Sequence, residues 1–139
     1  MVTAKECLTV FGEPDVEFER NHMALLNNNF GGCIPSKIYC NKIMLGKLSD
    51  ALMEIKTAGL LHMIVTWNGC FNVRKSRTSN SYSLHAWGIA IDINAESNKL
   101  GSKPTLSPEI VSIFKRNGFD WGGDWKYPDG MHFQLSSLG

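Results

Sequence analysis

His85, Asp92 and His132 supply two imidazoles and one carboxylate in the second half of the chain. That set binds a catalytic zinc ion and leaves the fourth tetrahedral position to water. Asp92 is the conspicuous member, because it interrupts GIAIDIN, a run otherwise apolar enough for a buried strand. Such a carboxylate is either tolerated by the fold or a ligand, and on the site-facing side of a strand it need not be buried unpaired. Asp129 closely precedes His132 in the turn DGMH. A carboxylate there can reach a water on the same metal without being a ligand, take its proton and pass it to a leaving amine. Asp129 and Gly130 can equally serve as the turn that opens the last strand, and the two uses are compatible. A chain with four histidines offers such a set by chance, so the context must decide.

The elements around these residues supply that context. In the strand expected over Gly88 to Asn94, Ile89, Ile91 and Ile93 share one face while Gly88, Ala90 and Asp92 share the other. The first face is core; the second is small, open and carries the carboxylate. At the C-terminus Met131, Phe133 and Leu135 alternate with His132 and Gln134, a second strand with one apolar and one polar face. The clearest helix spans Lys42 to Ala58, with Met44, Leu48, Ala51, Leu52 and Ile55 on one stripe and Gly59 as its stop. Ser107 followed by Pro108 starts another helix, running to Asn117 and closed by Gly118. A short helix from Thr3 to Phe11 ends at Gly12. Strands are expected over Ser36 to Cys40 and over Leu60 to Trp67, with His62 a core or edge histidine, and Asn21 to Pro35 is read as an irregular loop.

Length and composition narrow the function. The 139 residues fit one domain, residues 1–139, with a single site. A net charge of +1 and 19% charged residues argue against a nucleic-acid partner, and RKSR at Arg74 to Arg77 is read as a solvated loop. No apolar run is long enough for a membrane span, and the N-terminus lacks the pattern of a secretory signal. Cys7, Cys33, Cys40 and Cys70 contain no C-x-x-C pair, so reduced thiols are expected, not a zinc site built from cysteines.

Ser83, His85, Gly88, Ala90 and Asp92 spell S-x-H-x-x-G-x-A-x-D, and a carboxylate just before a C-terminal histidine follows. This arrangement resembles the zinc D-alanyl-D-alanine carboxypeptidase and L-alanyl-D-glutamate endopeptidase family, which includes many bacteriophage endolysins. WNGCF, HAWGIAIDIN and FDWGGDW look like its phage-type branch, and the resemblance runs from about Asn41 to Leu135.

The resemblance implies that His85, Asp92 and His132 hold one Zn2+ and that Asp129 is the general base and acid. It also implies an upstream arginine that steadies the negative charge on the substrate carbonyl. Arg74 in GCFNVR matches best, Arg77 is its rival, and either could instead be a solvent-exposed loop cation. Ser83 could bind substrate or fix the loop around His85, and Trp125 is a candidate rim residue. The expected fold is α+β, a small and mainly antiparallel sheet carrying the zinc site with helices on its back. The expected activity is hydrolysis of an amide in the peptidoglycan stem peptide, L-Ala-D-Glu, by a monomeric phage or prophage endolysin. Such an enzyme is made in the host cytoplasm and reaches the wall after release. The alternatives are a D-Ala-D-Ala carboxypeptidase or dipeptidase and, from another class, a non-catalytic zinc-containing virion or binding protein.

Overall fold

A computed structural model describes all 139 residues. The chain begins with α1 (Ala4–Phe11) and α2 (Val16–His22), each capped by a side-chain oxygen. Thr3 accepts from the Glu6 N–H at 3.2 Å and Asp15 from the Phe18 N–H at 2.9 Å. A two-stranded antiparallel sheet follows, β1 (Met23–Asn27) with β2 (Lys37–Asn41). Then come α3 (Lys42–Thr57), β3 (Trp67–Gly69), β4 (Ala90–Ile93), α4 (Pro108–Arg116), β5 (Phe119–Trp121) and β6 (His132–Leu135).

The last four strands form one antiparallel sheet in the order β3-β4-β6-β5, so the fold is α+β as expected. Its inner face buries Ile89, Ile91, Ile93, Phe133 and Leu135 completely. Phe114 of α4 stacks on Phe133 with ring centroids 4.3 Å apart and meets Phe119 edge-on at 5.4 Å. The α3 stripe Met44, Leu48, Ala51, Leu52 and Ile55 is fully buried in the same core. The opposite sheet face is thereby left to the polar side chains.

Asn41 joins the two halves. Its side-chain oxygen caps α3 by accepting from the Ile43 N–H at 3.1 Å, and its amide donates to the Trp87 carbonyl at 3.0 Å. Its main-chain N–H donates to the Gly88 carbonyl at 2.9 Å. Gly88 is required there, because its φ is 66° and an added Cβ would lie 2.9 Å from the Asn41 nitrogen.

Two expectations need correction. Leu60 to Trp67 is not a strand: it forms a 3₁₀ turn over Leu61–Met63 and enters β3 only at Trp67. The cause is the end of α3, where the Gly59 N–H bonds to Lys56 and the Leu60 N–H to Ile55, a Schellman closure that turns the chain sharply. Asn94, at φ 53°, then takes the place of a strand neighbour. Its side-chain oxygen accepts from the Val65 and Thr66 N–H groups at 2.8 and 3.2 Å, and its amide donates to the Met63 carbonyl at 3.0 Å. His62 lies exposed on that turn and is not a core residue. The second correction concerns Asn21 to Pro35, which contains the end of α2 and all of β1; only the stretch after Asn27 is irregular.

Candidate metal centre

Three neighbouring devices place the candidate ligands. Ser83 opens the 3₁₀ turn Leu84–Trp87 by accepting from the His85 N–H at 3.3 Å, which aims His85 across the sheet face. Gly88 then reverses the chain into β4. On β4, Asp92 lies directly opposite His132 of β6 in the antiparallel register, so both side chains project from one face.

The ligand atoms of His85, Asp92 and His132 all lie within 4.8 Å of one another. His85 Nε2 is 3.1 Å from Asp92 Oδ2, and His132 Nδ1 is 3.4 Å from Asp92 Oδ1. Tetrahedral nitrogen and oxygen ligands at ordinary zinc distances are about 3.3 Å apart, close to both of these histidine–aspartate separations. Unmet hydrogen bonding supports the same reading. Despite these short separations, His85 Nε2 and Asp92 Oδ1 are buried atoms without a hydrogen-bond partner. Buried polar atoms are rarely left so, and a cation among them would satisfy both. The donor set therefore fits zinc.

The far side of each imidazole is also held. His85 Nδ1 donates to the Cys70 carbonyl at 2.7 Å, which leaves Nε2 with the free lone pair. His132 Nε2 is 3.0 Å from the side-chain oxygen of Gln134, which leaves Nδ1 facing Asp92. No fourth histidine, cysteine or carboxylate joins the cluster, the composition of an open site and not of a closed structural one. All four cysteines are free, as expected, and burial raises the thiols of Cys7 and Cys40 to about 12 and about 11.

Asp129 stands beside this group. Its N–H donates to the Gly122 carbonyl at 2.9 Å, and its own carbonyl accepts from the His132 N–H at 3.1 Å. Its Oδ1 is a further buried atom without a partner. Charges separate the two carboxylates. Burial opposes ionisation of Asp92, but its contacts with His132 and His85 outweigh that and hold it well below the usual carboxylate range. Burial raises Asp129, the Asp92 charge adds to the rise, and His132, His85 and Arg77 only partly offset it. For His132, burial disfavours the imidazolium, yet Asp92, Gln134 and Asp129 together raise its pKa.

A cleft of about 770 Å³ opens over the cluster. Its walls are the segment Met1–Lys5, loop residues between Arg74 and Leu84, and Leu100, Trp125 and Tyr127. Arg74 and Arg77 both line it; Arg74 is half-buried with Nη1 donating to the Lys75 carbonyl at 3.2 Å, while Arg77 is exposed. Ser83 lines it too, in addition to fixing the His85 turn. Trp125 lies with its ring 5.3 Å from that of His132. Three contributors had no assigned role in the sequence. Gln134 had a signal, its place beside His132 on the polar face of the last strand; Gly122 lay within the phrase FDWGGDW without a role of its own, and Lys5 had no signal.

An α+β scaffold that brings together two imidazoles and a carboxylate, with a further carboxylate alongside, has the donor composition of a mononuclear zinc hydrolase site. Residues 76–135 match the model of the family described as D-alanyl-D-alanine carboxypeptidase. The matched stretch contains His85, Asp92, Asp129 and His132, and the family is the one that the sequence motifs resemble. Site and match together make this chain a zinc metallopeptidase that acts on peptidoglycan.

Proposed function

We propose that the enzyme hydrolyses the L-Ala-D-Glu amide of the peptidoglycan stem peptide as a phage or prophage endolysin, with residues 1–139 acting as one monomeric catalytic domain. One observation carries the catalytic reading: Asp129, with a buried and unpartnered oxygen, stands beside a three-ligand cluster at the floor of an open cleft. In this reading His85 Nε2, Asp92 and His132 Nδ1 hold a single zinc ion. Bound zinc would polarise the scissile carbonyl and make a water nucleophilic near neutral pH.

The chain's own groups do the rest. Asp129 takes the proton of the attacking water and delivers it to the departing amine; its raised pKa suits a group that must hold that proton between the two steps. Arg74 holds the carbonyl oxygen as charge builds on it, with Arg77 flanking, a contribution of roughly a few kcal/mol for one donor. Ser83 contacts the peptide from the turn that carries His85, and Trp125 forms the rim. Lys5, Arg74 and Arg77 line the cleft alongside Asp92 and Asp129, and these cations suit a stem peptide whose D-Glu keeps a free carboxylate.

The family description favours a second reading, removal of a terminal D-Ala. The endopeptidase is favoured by the phrases WNGCF, HAWGIAIDIN and FDWGGDW, which look like the phage-type branch of the family. Purified peptidoglycan distinguishes them when digested with wild type, with chelated and zinc-restored enzyme, and with Asp129→Ala. New D-Glu amino termini that depend on zinc and on Asp129 are the expected product. Free D-Ala would establish the carboxypeptidase, and no release by folded, zinc-loaded enzyme would return the non-catalytic reading.

A further inference from the structure

The amino-terminal segment reaches the metal centre through a single side chain. Val2 is buried, and its carbonyl accepts from the Gln134 side-chain amide at 3.2 Å. A main-chain carbonyl can only accept, so the NH2 of Gln134 must face Val2. The amide oxygen must then face His132 Nε2, 3.0 Å away, and that oxygen too can only accept. His132 therefore carries its proton on Nε2 and keeps the Nδ1 lone pair for the side where Asp92 lies. The order of polarity along Val2, Gln134 and His132 leaves no alternative arrangement that satisfies all three.

The far end of the same segment is tied to the other histidine's turn. The Gly12 carbonyl, at the C-terminus of α1, accepts from Trp87 Nε1 at 2.9 Å, and Trp87 closes the 3₁₀ turn that carries His85. Thus α1 is pinned at one end beside His132 and at the other beside His85, and Met1–Lys5 form a wall of the cleft between.

Resting on the ligand roles proposed above, we infer that Gln134 is the positioning residue of His132 through its side-chain oxygen, and that its amide in turn fastens the amino-terminal arm to the strand that carries His132. Outer-shell partners of this kind change metal affinity by about 10–100-fold when removed.

Two substitutions separate acceptor from tether. Gln134→Met keeps the volume but has no oxygen, and zinc affinity, read by competition with a chromophoric chelator, is expected to fall about 10–100-fold. Gln134→Glu keeps an acceptor in either orientation but cannot donate to Val2. Its zinc affinity should stay near wild type, while amide exchange at Glu6 and Cys7 in the first turn of α1 should speed up. In the zinc-loaded wild type, long-range nitrogen NMR of the imidazoles should find the His132 proton on Nε2. That readout decides the matter should the methionine variant fail to fold. Wild-type affinity in Gln134→Met, an equal loss in both variants, or a His132 proton on Nδ1 would each overturn the proposal. A wild type that takes up no zinc would sink the metal reading itself, and this proposal with it.

Discussion

Asp92 on β4 and His132 on β6 are direct cross-strand partners, with Nδ1 of the histidine 3.4 Å from Oδ1 of the aspartate. Two candidate ligands of one centre are thus set by the register of a single strand pair. A slip of one residue in either strand would send that strand's candidate ligand to the apolar face.

Without metal, this pair makes stability depend on pH in two opposing ways. The lowered Asp92 pKa stabilises the fold above the unfolded value of about 4, and this contribution is lost as pH falls through the folded value. The raised His132 pKa stabilises below about 6.5 and is lost as pH rises through its folded value. Urea midpoints of chelator-treated protein should therefore peak between about pH 4 and 6.5, and Asp92→Asn should flatten the profile. A wild-type profile rising steadily to pH 8 would contradict this.

Asp129→Asn should separate activity from stability. Peptidoglycan hydrolysis is expected to fall by about 100-fold or more through loss of proton transfer. The melting temperature should hold or rise at neutral pH, because burial of a charged carboxyl is removed. A clear drop in melting temperature would mean that Asp129 is chiefly a structural turn residue.

Gly122→Ala tests the support of Asp129. The glycine's φ is not positive, so alanine suits its backbone; the obstacle is contact, since a Cβ there would collide with the Asp129 carbonyl. Overpacking of this kind costs about 1–3 kcal/mol. Activity should fall by about 100-fold through displacement of Asp129, with zinc affinity less affected. Unchanged turnover would show that the turn relaxes without moving its carboxylate.

The two arginines should part in kinetics. Arg74→Ala is expected to lower kcat by about 100-fold with little change in KM, as for loss of one oxyanion donor. Arg77 lowers the pKa of Asp129 from a distance, so Arg77→Ala should move the acidic limb of kcat/KM upward in pH, less so at high salt. If the two variants exchange these behaviours, their roles are reversed.

Asn94→Ala should cost about 2–3 kcal/mol, because the Val65, Thr66 and Met63 main-chain groups lose their partner. Zinc affinity well below the melting temperature should be unchanged. A fall in affinity would place Asn94 in the support of the sheet beneath Asp92.

Local chemistry made much of this molecule legible in advance. Thr3 with Gly12, Ser107 with Pro108, and the α3 stripe carry their own caps and periodicity, and each helix stands where those signals put it. The alternation in GIAIDIN and MHFQL sorted core faces from polar faces and put Asp92 and His132 on the polar side, where the structure brings them together with His85. Tertiary structure decided what depends on distant partners. Leu60 to Trp67 has strand composition, yet a Schellman closure and the Asn94 side chain draw it into a turn. β1 lies in a segment of loop-like composition and acquires its order from pairing with β2. Gln134 could be assigned to a polar face, but its partner Val2 lies at the opposite end of the chain. Periodicity reports which way a side chain points from its own backbone; which group waits there is settled only when the chain closes on itself.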